Sequence, residues 1–175
     1  MEIRKVTGRE LRKMKKIYLE AFPKKERKPF RMMKQKAGKG EMELLSILDG
    51  TKLVGLAITV LYRDLVLLDY FAIDRKYRGK NYGSEALGLL KERYEDRRFL
   101  LEIELPEEGA LNLEDRIRRK NFYLRNGMQE AGIQALVFQV HMEVLTAGKA
   151  VSCGEYCGIY EHIIGPAFLH HVRPL

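Results

Sequence analysis

The chain has 175 residues and a mass of 20.4 kDa, and its net charge is +8. This length suits one domain with a sizeable hydrophobic core. No apolar run approaches the roughly 20 residues of a membrane span, and residues 1–10 are charged where a secretory signal would be apolar. We therefore predict a single-domain cytoplasmic protein that does not cross a membrane.

The positive charge is concentrated in the first third of the chain. Residues 1–60 carry 16 Lys/Arg and 7 Asp/Glu, whereas the remaining residues carry 16 and 17. Such a surface can steer an anionic partner such as a nucleotide, an acidic substrate or RNA. We favour a solvated helix face, because only Phe22 and Phe30 lie nearby to stack on bases. Association with nucleic acid is the alternative.

The first predicted elements are a strand over residues 2–6 and two helices. Apolar residues after Thr7 recur at helical spacing up to Phe22, and Pro23 ends this amphipathic helix. A second short helix is predicted for residues 29–38. Residues 43–48 and 51–61 then flank Asp49-Gly50, which is a strong signal for a β-hairpin.

The next segment is the most informative part of the sequence. Residues 65–73 are almost all apolar and predict a central strand that is buried on both faces. A basic, glycine-containing turn follows, and a helix is predicted over residues 82–98. Backbone N–H groups, a helix N-terminus and four basic side chains would together bind a diphosphate. A solvated basic loop is the alternative. The turn is not a Walker loop, because no Gly-Lys-Ser/Thr follows at the right spacing.

The remaining elements alternate between strand and helix. We predict a strand over residues 99–105, a helix over 111–126, strands over 128–138 and 139–145, and a terminal helix over 152–164. Cys153 and Cys157 would share one face of that helix. We expect packed free thiols there rather than a metal site, since zinc usually takes four ligands from loops.

Three sequence blocks, in this order, resemble the GNAT superfamily of N-acetyltransferases. The first is the run from Arg78 to Gly83, which is similar to the acyl-coenzyme A loop but has Asn81 at its middle glycine position. Asn tolerates the left-handed backbone that this position requires. The others are the strand over residues 99–105 and the segment over 122–128, Phe-Tyr-Leu-Arg-Asn-Gly-Met.

The resemblance implies an α/β fold with a mixed central sheet of about seven strands flanked by helices. We expect one N-acetyltransferase domain over residues 1–175, with basic helices in 1–40, the sheet core in 41–145 and an added helical tail in 146–175. It also implies acetyl-CoA as co-substrate, direct acetyl transfer to a primary amine of a small molecule or protein, no metal, and a homodimer as one assembly. A non-catalytic acyl-CoA-binding module is the alternative.

The resemblance also assigns roles to particular residues. Tyr123 matches the general acid, and Glu102 matches the base of the ribosomal-protein N-acetyltransferases, with Asp69 or a water chain as alternatives. Where many relatives have a cofactor-contacting Asn, this chain has Arg116. The loop over residues 22–27, with Glu26, would shape the acceptor site. The expected cofactor-binding residues are Phe71, Ala72, Ile73, Arg78, Gly79, Lys80, Asn81, Tyr82, Gly83 and Ser84.

Overall fold

The computed structural model describes the backbone of residues 1–175 and all side chains except those of residues 167–169. The chain divides into an N-terminal unit, Met1–Leu61 with Leu68–Tyr94, and a C-terminal unit, Tyr62–Leu67 with Glu95–Leu175. Five α-helices and eight strands lie within this described chain, so the predicted mixed α/β fold is confirmed. No helix in the described chain combines the length and the apolar character needed to span a membrane.

The N-terminal unit contains four neighbouring strands in the order β1-β2-β3-β4. Strand β2 pairs antiparallel with both β1 and β3, and the Asp49-Gly50 turn joins β2 to β3 as predicted. The elements are β1 (Glu2–Lys5), α1 (Gly8–Ala21), α2 (Phe30–Gly38), β2 (Met42–Asp49), β3 (Lys52–Tyr62), β4 (Leu65–Ile73) and α3 (Tyr82–Arg93), with residues 62 and 65–67 in the other unit.

Helix α3 is shorter than the sequence predicts. It ends at Arg93 instead of Arg98, because Tyr94 leaves the helical conformation with φ −116° and ψ 29°. The buried Tyr94 hydroxyl donates to the Glu43 carboxylate at 2.6 Å and is hydrogen-bonded to Thr59 at 2.9 Å. Contacts with distant strands therefore end the helix where its own sequence pattern would continue.

The C-terminal unit is an antiparallel arrangement of strands in the order β5-β7-β6-β8. Its elements are β5 (Arg98–Glu104), α4 (Leu113–Arg125), β6 (Gln129–Val137), β7 (Val140–Thr146), α5 (Cys153–Ile164) and β8 (Val172–Pro174). The predicted terminal helix is present as α5. Strand β8 adds one strand to the predicted number, and it pairs with residues 135–137 of β6.

The N-terminus of α1 is held by one carboxylate. Glu10 accepts two hydrogen bonds from Arg4, at 2.5 and 3.0 Å, one from the Thr7 amide at 2.9 Å and one from Ser46 at 3.0 Å. The hydrogen bond with Arg4 is the main cause that lowers the pKa of Glu10 to about 2. Glu10 thus joins β1, α1 and β2.

The lowered pKa of Glu10 predicts how the free energy of unfolding depends on pH. Because the folded-state pKa lies below the ordinary value of 4.5, the stabilisation is complete above that value and is lost as the pH falls towards 2. We expect Glu10→Gln to lower the free energy of unfolding by about 1–3 kcal/mol at neutral pH. Urea unfolding at several pH values measures both effects. A variant whose stability falls with acid as steeply as that of the wild type would contradict the assignment.

Candidate active site

The turn between β4 and α3 adopts the left-handed backbone that its sequence suggests. Gly79 has φ +76°, and Asn81, the N-cap of α3, has φ +62°. Before them, the Asp74 side chain accepts a hydrogen bond from the Lys76 amide at 3.1 Å. The Arg78 Nε group donates to the Ile73 carbonyl at 3.0 Å, which fixes the turn against the end of β4.

The turn has the chemical features of a diphosphate cradle. Residues 78–81 are exposed, and the first-turn amides of α3, on Tyr82, Gly83 and Ser84, have no acceptor within their own helix. The helix dipole and the Lys80 ammonium add positive potential at the same end. These residues therefore fit the diphosphate of coenzyme A.

Tyr82 contributes its amide rather than its side chain to this end of α3. Its hydroxyl donates to the Asp49 carboxylate at 2.6 Å, and this hydrogen bond raises the pKa of the phenol. Its ring packs edge-on against Tyr77, with centroids 6.2 Å apart. The side chain thus fixes the start of α3 against the β2–β3 turn.

The end of β4 has alternating burial. Tyr70 and Ala72 are buried, whereas Phe71 and Ile73 on the other face are partly exposed. Phe71 and Ile73 pack against a buried cluster of Ile47, Val54 and Ala86, so their side chains belong to the core. A Cβ on Gly55 of β3 would lie 2.6 Å from the Ala72 carbonyl, so this close strand approach requires glycine.

Asp69 and Lys28 form a contact that the sequence did not predict. The Lys28 ammonium lies 2.6 Å from Asp69 Oδ1, and the Asp69 side chain is only 3% exposed. Lys28 follows the loop over residues 22–27 that we expected to contact the acceptor. Nothing in the local sequence pairs two residues that are 41 positions apart.

In the C-terminal unit, Glu102 of β5 is bonded to two tyrosines of α5. The Tyr156 hydroxyl donates to Oε2 at 2.5 Å, and the Tyr160 hydroxyl donates to Oε1. Both phenol rings are almost completely buried, and burial raises the pKa of Tyr156 well above its ordinary value. The i, i+4 spacing of the two tyrosines indicates that they share one face of a helix. The sequence does not show which strand residue they contact.

Glu104, two residues further along β5, has different partners. Its carboxylate accepts hydrogen bonds from Arg116 and Arg119 of α4, at 3.2 and 3.3 Å. Arg116 also donates to the Leu105 carbonyl at 2.8 Å. Arg116 is thus part of an ion-pair cluster that joins α4 to β5.

Tyr123 lies near the end of α4 with 9% of its surface exposed. Burial raises the pKa of its phenol to about 12, an effect that the positive charge of Arg119 opposes. The ring packs edge-on against Phe122, with centroids 5.1 Å apart. The phenol therefore stays protonated throughout the neutral pH range and can donate a hydrogen bond or a proton.

Both cysteines are free and lie on α5. Burial raises the pKa of Cys157, which makes this thiol less reactive. Within the described residues, no group of three His, Cys, Asp or Glu side chains could hold a metal ion.

Comparison with models of known protein families shows which family the chain belongs to. The sequence model described as the Acetyltransferase (GNAT) family matches residues 11–127, which is about two thirds of the chain. The chain belongs to this family. This GNAT protein is therefore an acetyl-CoA-dependent N-acetyltransferase, which confirms the predicted activity and co-substrate. No curated protein sequence matches it.

Solved structures show the same fold. A GNAT-family protein from Bacteroides thetaiotaomicron is 20% identical with a TM-score of 0.76, and the match covers 96% of this chain and 98% of that one. The ribosomal-protein-alanine N-acetyltransferase from Brucella melitensis is 17% identical with a TM-score of 0.61, over 86% and 100%. An aminoglycoside 6'-N-acetyltransferase complexed with coenzyme A is 13% identical with a TM-score of 0.63, over 87% and 100%.

Proposed function

We propose that this GNAT protein transfers the acetyl group directly to a primary amine of a small molecule or a protein. The observation that supports this proposal best is the left-handed turn at Gly79 and Asn81, which leads into the first-turn amides of α3. Acetyl-CoA supplies an activated thioester. The protein must hold it, accept a proton from the amine, stabilise charge on the carbonyl oxygen and protonate the sulfur.

In this proposal the end of β4 and the turn that follows it hold the co-substrate. The amides of the 78–84 turn bind the diphosphate, and main-chain groups of Phe71 and Ile73 pair with the pantetheine amides. The amide of Phe71 or Ala72 stabilises the carbonyl oxygen. Because the side chains of Phe71 and Ile73 pack in a hydrophobic cluster, binding through the main chain requires no change in their packing.

Two side chains are the proton-transfer groups in this proposal. Tyr123 donates to the departing sulfur, and Glu102 accepts a proton from the amine, directly or through water. Two tyrosine hydroxyls that donate to the Glu102 carboxylate fix its orientation. The single-domain organisation, a cytoplasmic location and a homodimer stay predictions.

Isothermal titration calorimetry with acetyl-CoA, followed by thiol release with a panel of primary amines, tests the function. We expect binding and steady acetyl transfer to at least one amine. Failure to bind acetyl-CoA at millimolar concentration would exclude the proposal. Tight binding without transfer to any amine would favour a non-catalytic acyl-CoA-binding module.

A variant of Glu102 tests the base. We expect Glu102→Gln to lower kcat/KM about tenfold with acetyl-CoA affinity unchanged, because an amide cannot accept the proton. The matched control is Glu104→Gln, which removes a carboxylate on the same strand that pairs with arginines. That variant should lower Tm and leave kcat/KM within about twofold of the wild type. Equal losses of activity in both variants would remove Glu102 from the mechanism.

A further inference from the structure

One oxygen of a buried carboxylate has no hydrogen-bond partner. Asp69 Oδ1 is paired with Lys28, but Oδ2 is buried and lacks a partner among the described side chains. A buried carboxylate oxygen without a donor costs free energy, and such atoms are rare in folded proteins. Asp69 can therefore accept a further hydrogen bond from a group that binds at this position.

One aromatic ring, a member of a cluster of four, lies beside the Lys28 end of this pair. The Lys28 ammonium lies 5.3 Å from the centroid of the Tyr70 ring. Tyr18 and Phe22 each pack against Tyr70 with centroids 4.9 Å apart, and Phe30 packs against Tyr18 at 5.7 Å. A carboxylate together with an aromatic ring is an environment that proteins use to bind organic ammonium groups.

The main chain around Lys28 is held independently of its side chain. The Lys28 amide donates to the Tyr70 hydroxyl at 2.9 Å, and the Tyr18 hydroxyl donates to the Lys28 carbonyl at 2.9 Å. The Tyr70 hydroxyl in turn donates to the Glu26 carbonyl at 2.8 Å. The Lys28 side chain can therefore move away from Asp69 while the loop keeps these hydrogen bonds.

We propose that Asp69 binds the ammonium group of the acceptor, and that Lys28 occupies this position when no acceptor is bound. The inference rests on the proposed function, in which Phe71 and Ile73, which alternate with Asp69 on one face of β4, hold the co-substrate. Because a lysine side chain fits this position, the acceptor class is an unbranched primary alkylammonium. A small linear amine and a lysine side chain of a polypeptide share this chemistry.

Chemical rescue of Lys28→Ala tests the inference. Removal of the ammonium leaves Asp69 buried without its partner, so we expect a lower Tm. Added n-butylammonium should bind beside Asp69 and raise Tm by about 3–5 °C at about ten times its Kd. The shift should saturate with concentration. Differential scanning fluorimetry with sodium chloride at equal ionic strength measures it.

Three variants separate this site from a general salt effect. Lys28→Ala combined with Asp69→Asn should show no response, and Lys28→Met, which fills the space with a neutral chain, should also show none. Lys15→Ala removes an exposed lysine of α1, outside this loop, and should behave as the wild type. A missing response in Lys28→Ala, or an equal response in the double variant, would overturn the inference.

If Lys28→Ala does not fold, calorimetric titration of the wild type with n-butylammonium tests the same inference. There n-butylammonium must compete with Lys28, so binding is weak, and Asp69→Asn should abolish it. Binding that survives Asp69→Asn, or no binding to the wild type, would contradict the inference.

Acetyl-CoA titration of the same proteins separates the two proposals. If the wild type does not bind acetyl-CoA, the proposed function fails, whatever the response to n-butylammonium. If acetyl-CoA binds and acetyl transfer occurs, but n-butylammonium does not raise the Tm of Lys28→Ala, only the Asp69 inference fails. Thiol release with n-butylamine and with a blocked lysine peptide then distinguishes a small amine from a protein lysine as acceptor.

Discussion

Replacement of Gly79 by valine is expected to weaken acetyl-CoA binding about a hundredfold while the protein stays folded. Gly79 has φ +76°, a conformation in which a β-branched residue is strained by about 1–3 kcal/mol. No atom lies within 4 Å of a Cβ placed there, so the effect comes from the backbone and not from a clash. Relief of the strain would turn the neighbouring amides away from the diphosphate. Calorimetric titration with acetyl-CoA measures the loss.

Asn81 provides the matched control for this backbone argument. Its φ of +62° is one that glycine adopts readily, so Asn81→Gly should keep acetyl-CoA affinity within about threefold of the wild type. Asn81→Val should lose affinity as Gly79→Val does. Wild-type affinity in both valine variants would show that the turn does not hold the diphosphate.

Elements whose signals are local were predicted well. Strand β4 has the predicted bounds, because an apolar run ends at Asp74 and the basic turn. The hairpin of β2 and β3 follows from Asp49-Gly50, since that dipeptide favours the turn whose twist matches the strands. Asn81 adopts the left-handed conformation expected from its position between Gly79 and Gly83.

Features that depend on distant residues could not be predicted in this way. The end of α3 depends on the bonds of Tyr94 to Glu43 and Thr59, residues of strands that precede it by more than 30 positions. Strand β8 has three residues, too few to show an alternating pattern. Its existence depends on pairing with β6.

In the candidate site, too, local features could be predicted and features that depend on distant residues could not. The conformation of the turn at residues 78–83 depends on residues within the turn, so it could be predicted. The surroundings of Glu102 are built by a helix more than 50 positions away, and those of Asp69 by a loop 41 positions away. Glu102 and Glu104 are two residues apart on β5, but the fold gives the first tyrosine partners and the second arginine partners.

Replacement of Tyr123 by phenylalanine is expected to lower kcat about a thousandfold and to leave acetyl-CoA affinity unchanged. A phenol whose pKa is about 12 remains protonated over the whole range in which the enzyme can be assayed. It can therefore donate to the sulfur as negative charge develops, and phenylalanine cannot. Arg119, whose charge lowers the pKa of Tyr123, should make this donation easier. Thiol release with the amine that the panel identifies gives kcat, and calorimetry gives the affinity.

Tyr94→Phe is a matched control for Tyr123→Phe. Tyr94 is also buried, and burial likewise raises the pKa of its phenol to about 12, but its hydroxyl holds Glu43 and Thr59 within the N-terminal unit. This variant should lower Tm by a few degrees and keep kcat within about twofold, since a lost buried hydrogen bond affects stability. If Tyr123 only packed in the core, Tyr123→Phe would resemble Tyr94→Phe, with a lower Tm and a kcat close to that of the wild type. Turnover by Tyr123→Phe at the wild-type rate would therefore show that another group protonates the sulfur.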